Sequence, residues 1–512
     1  MTRIQIKRLT FALLSVAAAL GWTTAIAIAQ DAAGPAKDVS TSVAADTVEK
    51  NAPGRSTADV AAVPARIDRY IEAQLKKYDI PGLALAVVRE GKVTKAKGYG
   101  LADVELDVPA TERSVFQWAS VTKQFTATAI MLLAQAGKLK LDDPVSRHYA
   151  NAPSAWSSVT VRHLLTHTSG IKGYTELPNF FATVRKDYKP EEIIGLVASL
   201  PLDFAPGEKW AYSNTGYYLL GLIIEKASGQ PFSEFLKERI FRPLGMDTAR
   251  VNDQFELIAN RATGYDLRND RLSRSEFVSP TQPFSAGALV GTVLDLAKWD
   301  AALYTEKLLP KAVLEEMWTP VKLNDGKTSP YGYGWQTGEL RGHRYVGHGG
   351  GIHGFSSFIL RLVQDKLTVI VLINRGANPQ SIAASVAGQY ISGLTFSSIE
   401  AQPDTEPKLS ERLKQCLFEM ADKKDSEILT PEFRENFSKS RRRHAALQKD
   451  VKALKSFTFI IEEKPEVNQR EVEGVPVKRL RTYKLETDDE ARYYTFALTA
   501  DDQVALVQAS DD

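Results

Sequence analysis

Strand-like sequence stands at both ends of a long helix-patterned run, and this separation constrains the fold more than any other feature. Near the start, residues 83–89 and 92–99 read as β-strands joined at Glu90-Gly91, as a hairpin would be. Residues 355–362 and 367–373 return to the same β-branched and aromatic texture. Between them, apolar spacing predicts helices over 120–136, 190–199, 215–227, 293–304 and 311–317. One sheet must therefore be assembled from distant segments, with a helical region inserted between its two parts. The expected class is α/β in the α+β sense, a sheet flanked by helices with a helical subdomain.

The flanks differ in texture. Residues 1–29 have a basic start, an apolar stretch over 9–20 and Ala27-Ile28-Ala29 as a small-x-small cleavage site, the pattern of a signal peptide. The uncharged run 9–30 could also span a bilayer, but Gly21, Thr23 and Thr24 dilute it and favour cleavage near Ala29. A periplasmic or secreted protein is expected, with no stable membrane insertion once the leader is gone. Residues 30–62, poor in large apolar side chains, read as a flexible spacer. The main domain is expected over 63–396, a linker punctuated by Pro403 over 397–407, and a small α+β domain of open role over 408–512. Its Arg441-Arg442-Arg443 run, surrounded by acidic residues, reads as a solvated helix face.

Composition narrows the chemistry. The single cysteine, Cys416, rules out an internal disulfide and Cys-based zinc or iron-sulfur sites. The net charge is +2; loss of Arg3, Lys7 and Arg8 with the leader takes away three positive charges and leaves −1, which argues against a nucleic-acid partner. No cofactor or metal is expected. A small molecule or peptide is the expected partner, and the oligomeric state is open.

Ser120-Val121-Thr122-Lys123 carries the most informative local chemistry. A serine and a lysine three apart at the start of an apolar helix project from one face. A serine hydroxyl becomes a useful nucleophile when a base takes its proton, and an amine does so if burial lowers its pKa from about 10.4. The helix start adds unpaired backbone N–H groups for a developing oxyanion. Alone the spacing is cheap, since an N-capping serine with a surface lysine gives the same letters. Its company is informative: Tyr212-Ser213-Asn214 lies downstream, followed by Gly347-His348-Gly349-Gly350-Gly351 leading into the strand at Phe355.

With these three motifs in order, the sequence over 64–394 resembles the serine β-lactamase-like, penicillin-recognising hydrolases, the branch of class C β-lactamases, DD-peptidases, D-aminopeptidases and related esterases. Residues 164–170 and 295–299 look like further family segments. The resemblance implies an antiparallel sheet of the β-lactamase/transpeptidase type, with Ser120 as the acylated nucleophile and Lys123 as its proton partner. It makes Tyr212 the proton-shuttling phenol, kept effective by the Lys123 cation, and Asn214 a ligand for the substrate amide. His348 and Gly350 would line the substrate, and the backbone N–H groups of Ser120 and Gly351 would form the oxyanion hole. One departure matters: many members have Lys-Thr-Gly where this chain has His348-Gly349-Gly350. A neutral imidazole offers less to a substrate carboxylate than a fixed cation.

The expected function is a secreted serine hydrolase forming an acyl-enzyme on D-amino acid peptides, cell-wall fragments or small esters, with weak β-lactam hydrolysis. Three alternatives stay open: a catalytically silent penicillin-binding or sensory protein, a class C-type β-lactamase proper, and transacylation to an amine. Several look-alikes are set aside. Tyr149-Ala150-Asn151 lies in a loop-like stretch, and Lys327-Thr328-Ser329 precedes Pro330. Gly349, Gly351 and Gly354 lead into a strand, whereas the dinucleotide fingerprint needs a helix. His163 and His167, four apart, lack a zinc motif and read as structural, with His167 capping the 168–170 turn; His353 lies close to His348 in sequence. The specificity loops are expected around 171–189 and 253–285.

Overall fold

The computed structural model describes residues 57–438, 441–465, 471–472, 474–487 and 491–510. The leader and residues 30–56 of the expected spacer lie outside the described residues. The described chain divides into two compact units, one spanning Ala61–Ile391 and one holding Ser392–Asp512.

The first unit is organised on a seven-stranded antiparallel sheet. Its strands in chain order are β1 (Gly82–Arg89), β2 (Lys92–Asp103), β3 (Val108–Pro109), β4 (Gln336–Leu340), β5 (His343–Ile352), β6 (Phe355–Leu362) and β7 (Leu367–Ile373). In space the order is β4-β5-β6-β7-β1-β2-β3. The N- and C-terminal parts of the unit thus meet where β7 pairs with β1, Ala86 opposite Ile370. Glu90 and Gly91, at φ of 51° and 75°, make the tight turn into β2, the backbone a two-residue hairpin needs. Every residue of β6 and β7 is buried. That is the mark of strands covered on both faces, and it explains their continuous apolar sequence.

Helices cover both faces. Helix α1 (Thr57–Lys77) begins inside the stretch expected to be spacer and carries Pro64 within it; Ile67 and Ile71 bury its apolar side. Helix α2 (Thr122–Gln135) carries Lys123 and is buried nearly all round, with Phe125 against Trp118, Trp299 and Phe241. Helix α3 (Asn214–Ser228) is capped by the Ser213 hydroxyl and ends on Gly229 at φ 75°, the left-handed C-cap that glycine favours. Helix α4 (Val293–Ala302), capped by Thr292, and helix α5 (Pro379–Gly388), capped by Asn378, complete the layers.

Under α4 lies a buried ion pair. Arg361 Nε on β6 donates to Asp300 Oδ1 at 2.5 Å, both side chains within 1% of full burial, and Thr368 Oγ1 adds a bond of 2.8 Å. The guanidinium lies 4.9 Å from the ring centres of Tyr304 and Trp318, and the π faces take the place of missing acceptors. Removing one partner strands a buried charge. Arg361→Met is expected to lower unfolding free energy by about 3 kcal/mol in urea titration, and adding Asp300→Leu should restore most of it.

The second unit places helices α6 (Pro407–Ala421), α7 (Pro431–Ser438) and α8 (Arg441–Lys452) before strands β8 (Ser456–Glu463), β9 (Arg479–Glu486), β10 (Ala491–Leu498) and β11 (Val504–Ser510). The strands form one antiparallel sheet in that order. Leu413, Cys416 and Leu417 of α6 pack with Tyr483, Leu485, Phe496 and Leu498. The stretch 397–407, expected as a linker, packs onto this unit instead. Asp404 and Glu406 each hold buried Arg481 at 2.6 Å, and Gln402 N–H donates to the Ile460 carbonyl. Buried Arg481 needs those carboxylates, so this segment cannot hang free.

Candidate active site

The nucleophile position is built by a short irregular turn. Residues Ala119–Val121 form a 3-10 turn that runs directly into α2. Ala119 sits at φ 48°, a left-handed conformation uncommon for a residue with a Cβ. The turn is held from both sides: Trp118 N–H donates to the Leu289 carbonyl at 2.8 Å, and Ser357 Oγ of β6 donates to the Trp118 carbonyl at 2.7 Å. Ser120 is left partly exposed on the turn, while Lys123, one turn on, is fully buried.

Lys123 Nζ lies 3.1 Å from Ser120 Oγ, 2.9 Å from Asn214 Oδ1 and 2.8 Å from the Ala286 carbonyl. A hydroxyl, a carboxamide and a backbone carbonyl are all uncharged, so burial drives the Lys123 pKa well below its ordinary value. An ammonium donates to all three. The neutral form, towards which burial shifts the group, gives its two hydrogens to the carbonyl oxygens, which can only accept, and turns its lone pair to the Ser120 hydroxyl as a base aimed at its proton.

Tyr212 shares a hydrogen bond with Ser120, and its ring centre lies 4.7 Å below Lys123 Nζ. Burial pushes its phenol above the usual range, outweighing the opposite pull of the Ser120 contact. Burial thus works against the expected pairing of a lysine cation with a phenolate, favouring the neutral amine on Lys123 and the protonated phenol on Tyr212.

Asn214, first residue of α3, spends its carboxamide within the protein: Oδ1 on Lys123 and Nδ2 on Thr175 Oγ1 at 3.1 Å. His348, expected to line the substrate, has a side chain only 1% exposed. Its Nδ1–H donates to the Gly349 carbonyl at 2.6 Å, and its Nε2 accepts from Tyr331 O–H at 2.9 Å. Burial lowers its pKa to about 3. It is a neutral group behind the site.

The glycines divide the work. Strand β4 pairs with β5 only as far as Gly347, so residues 348–352 leave that edge of β5 unpaired by β4. A Cβ on Gly350 would stand 2.2 Å from the Trp118 carbonyl oxygen and 3.1 Å from Ala119 Cβ, which shows how closely β5 lies against the nucleophile turn. A Cβ on Gly351 would meet nothing within 4 Å, and Gly351 is exposed. Gly350→Ala is expected to push the turn off Ser120 and lower kcat/KM about 100-fold on an activated ester. Gly351→Ala should melt like the parent and chiefly raise KM, which steady-state kinetics with calorimetry will show.

Among the set-aside residues, His163 caps its own helix by accepting from Thr160 N–H, and His353 stacks on Phe181 of the 171–189 loop at 6.0 Å and 4°. Thr328–Ser329 pairs with Val321–Lys322 in a small hairpin. No group of three His, Cys, Asp or Glu among the described residues is placed to hold a metal ion. His167 gave no catalytic signal in the sequence beyond its place in Leu164-Leu165-Thr166-His167-Thr168-Ser169-Gly170, yet its ring lies 4.3 Å from that of Tyr212.

The family model described as Beta-lactamase matches residues 67–387. The chain belongs to the beta-lactamase family. Penicillin-binding protein 4* of Bacillus subtilis (strain 168) is 36% identical over 318 residues, covering 59% of this chain and 69% of that protein. The octameric penicillin-binding protein homologue of Pyrococcus abyssi is similar in structure, with a TM-score of 0.57 at 26% identity over 85% of this chain and 96% of that one. The D-amino acid amidase of Ochrobactrum anthropi SV3 matches with a TM-score of 0.55 at 28% identity, over 62% of this chain and 92% of that one. This beta-lactamase family member is a serine hydrolase with the mixed, antiparallel fold expected from its sequence.

Proposed function

We propose that this family member is an exported acyl-hydrolase that cleaves amides and esters of D-amino acids, including cell-wall-like peptides, with β-lactams as slow substrates or acylating inhibitors. The observation that carries this reading is the fully buried Lys123 amine 3.1 Å from Ser120 Oγ, its pKa lowered by desolvation. Ser120 Oγ attacks the substrate carbonyl carbon while its proton passes to Lys123 Nζ. Backbone N–H groups of Ser120 and Gly351 receive the oxyanion. Tyr212, a protonated phenol beside Ser120, gives its proton to the leaving amine or alkoxide and is recharged from Lys123. Water then cleaves the acyl-enzyme along the reverse proton path. Asn214 acts on Lys123, holding the amine in line through Oδ1.

Two further points support the substrate class. Similarity to a D-amino acid amidase and to a penicillin-binding protein brings D-configured amides into view. Neutral, buried His348 supplies no cation for a substrate carboxylate, which disfavours penicillins relative to uncharged amides and esters. Export rests on the leader pattern of residues 1–29; among the described residues no helix is long and apolar enough to cross a membrane. The proposed partner is a small molecule or peptide rather than nucleic acid.

The test is a panel of D-amino acid amides, D-Ala-D-Ala peptides, p-nitrophenyl esters and nitrocefin, with intact-mass detection of a fluorophosphonate adduct. The expected result is turnover of D-amides and esters above nitrocefin, and loss of turnover and adduct in Ser120→Ala. Undiminished turnover in that variant overturns the assignment. A stable adduct without product marks a silent binder, and coupled product with an added D-amino acid marks a transacylase.

A further inference from the structure

The imidazole of His167 sits behind the reacting groups and is 1% exposed. Its backbone is held at φ 58°, and its carbonyl accepts from Ala211 N–H at 2.9 Å, so the histidine is tied to the segment that carries Tyr212. Nδ1 accepts the backbone N–H of Ser213 at 3.1 Å, the residue that caps α3 immediately before Asn214. An N–H can only donate, so Nδ1 is bare and a neutral ring carries its proton on Nε2. Nε2 is buried with no hydrogen-bond partner among the described residues. The ring is boxed by aromatic neighbours: Tyr212 at 4.3 Å, Tyr331 at 4.6 Å, Tyr217 at 5.0 Å and Trp210 at 6.0 Å between centres.

A buried donor without an acceptor destabilises the fold. A purely structural ring at this position would be better served by phenylalanine, which fills the box without that cost. What phenylalanine lacks is the Nδ1 acceptor. From this position one side chain reaches both halves of the proton apparatus: ring packing sets the tilt of Tyr212, and the Ser213 contact fixes the start of α3, from which Asn214 aims Lys123 at Ser120.

We infer that His167 is a positioning residue for the acyl-transfer chemistry, acting as a neutral Nε2–H imidazole that sets Tyr212 and the Ser213-Asn214 helix start together. The inference rests on the assignment of Ser120, Lys123 and Tyr212 given above. Two variants divide the roles. His167→Phe keeps the ring and loses the acceptor; His167→Asn keeps an oxygen near the Nδ1 position and loses the ring.

The experiment measures kcat, KM and fluorophosphonate labelling of the full chain, with melting curves to select variants that fold. The expected result is a kcat lowered about tenfold or more in each folded variant, KM within about twofold of the parent, and complete but slower labelling of Ser120. A structural role alone would move the melting midpoint without this split. A kcat within twofold of the parent in either folded variant, or a loss confined to KM, overturns the inference. If one variant does not fold, the other decides by the same criteria. Failure of the underlying site assignment looks different: Ser120→Ala would then keep turnover, whatever the His167 variants do.

Discussion

Lys123→Met is expected to lower kcat at least about 10³-fold while leaving the melting midpoint within a few degrees of the parent. The activity loss follows from geometry, because among the described residues the Lys123 amine stands within hydrogen-bond reach of Ser120 and burial favours its basic, neutral form, while burial keeps the proton on the Tyr212 phenol. General-base removal costs about 10²–10⁴-fold, and groups that act as a unit tend to the upper end. The stability expectation is less obvious. Methionine leaves Asn214 Oδ1 and the Ala286 carbonyl without their donor, a cost of about 1–3 kcal/mol each. Against this, a lysine whose pKa is depressed on folding must lose a proton that the unfolded chain keeps at neutral pH, and the substitution removes that penalty of about 1.4 kcal/mol per pKa unit. The two offset. Steady-state kinetics beside calorimetry decides: a variant retaining a tenth of parental kcat refutes Lys123 as the base, and one that melts far lower refutes a neutral buried amine.

Much of this arrangement was legible in the letters because its information is local. The three-residue spacing of Ser120 and Lys123 puts them on one helical face, and the β-branched, aromatic runs at 355–362 and 367–373 read as the strands they form. Strand β5 was harder to read. Gly347 and Gly349–Gly351 carry no β-branched side chain, and the reason is visible only when Gly350 is seen against the Trp118 carbonyl. Strand β11 ends in Gln508, Ala509 and Ser510, an edge with no apolar alternation to betray it. The side-chain partners of His348, Asn214 and His167 were least accessible. Each is set by contacts with segments 17 to 91 residues away, so a histidine expected at the substrate is buried on Tyr331, and one expected to cap a turn abuts Tyr212.

Those two histidines also make the fold acid-sensitive at an unusually high pH. His348 titrates at about 6.5 when unfolded and about 3 when folded, and His167 is likewise held well below its ordinary value; desolvation is the main cause for both. Above pH 6.5 both states are neutral at these positions and no stability is at stake. As pH falls through 6.5 the unfolded chain takes up protons that the folded one refuses, so stability declines until the folded pKa is reached. Between its two pKa values His348 contributes a slope of about 1.4 kcal/mol per pH unit, about 3 kcal/mol from pH 6.5 to 4, a sizeable share of a domain's total of about 5–15. His167 adds in the same direction. His163 is lowered as well and adds in the same direction. Carboxylates depressed in the fold, such as Asp68 at about 2, lose their contribution only below about pH 4, so the two windows separate. Urea unfolding at successive pH values from 8 to 4 should show the decline beginning near 6.5. His348→Asn, which cannot take a proton, should take about 1.4 kcal/mol per unit off the slope. A flat profile down to pH 4.5 in the parent would mean that one or both imidazoles reach solvent or gain a carboxylate when protonated, contrary to their burial in this fold.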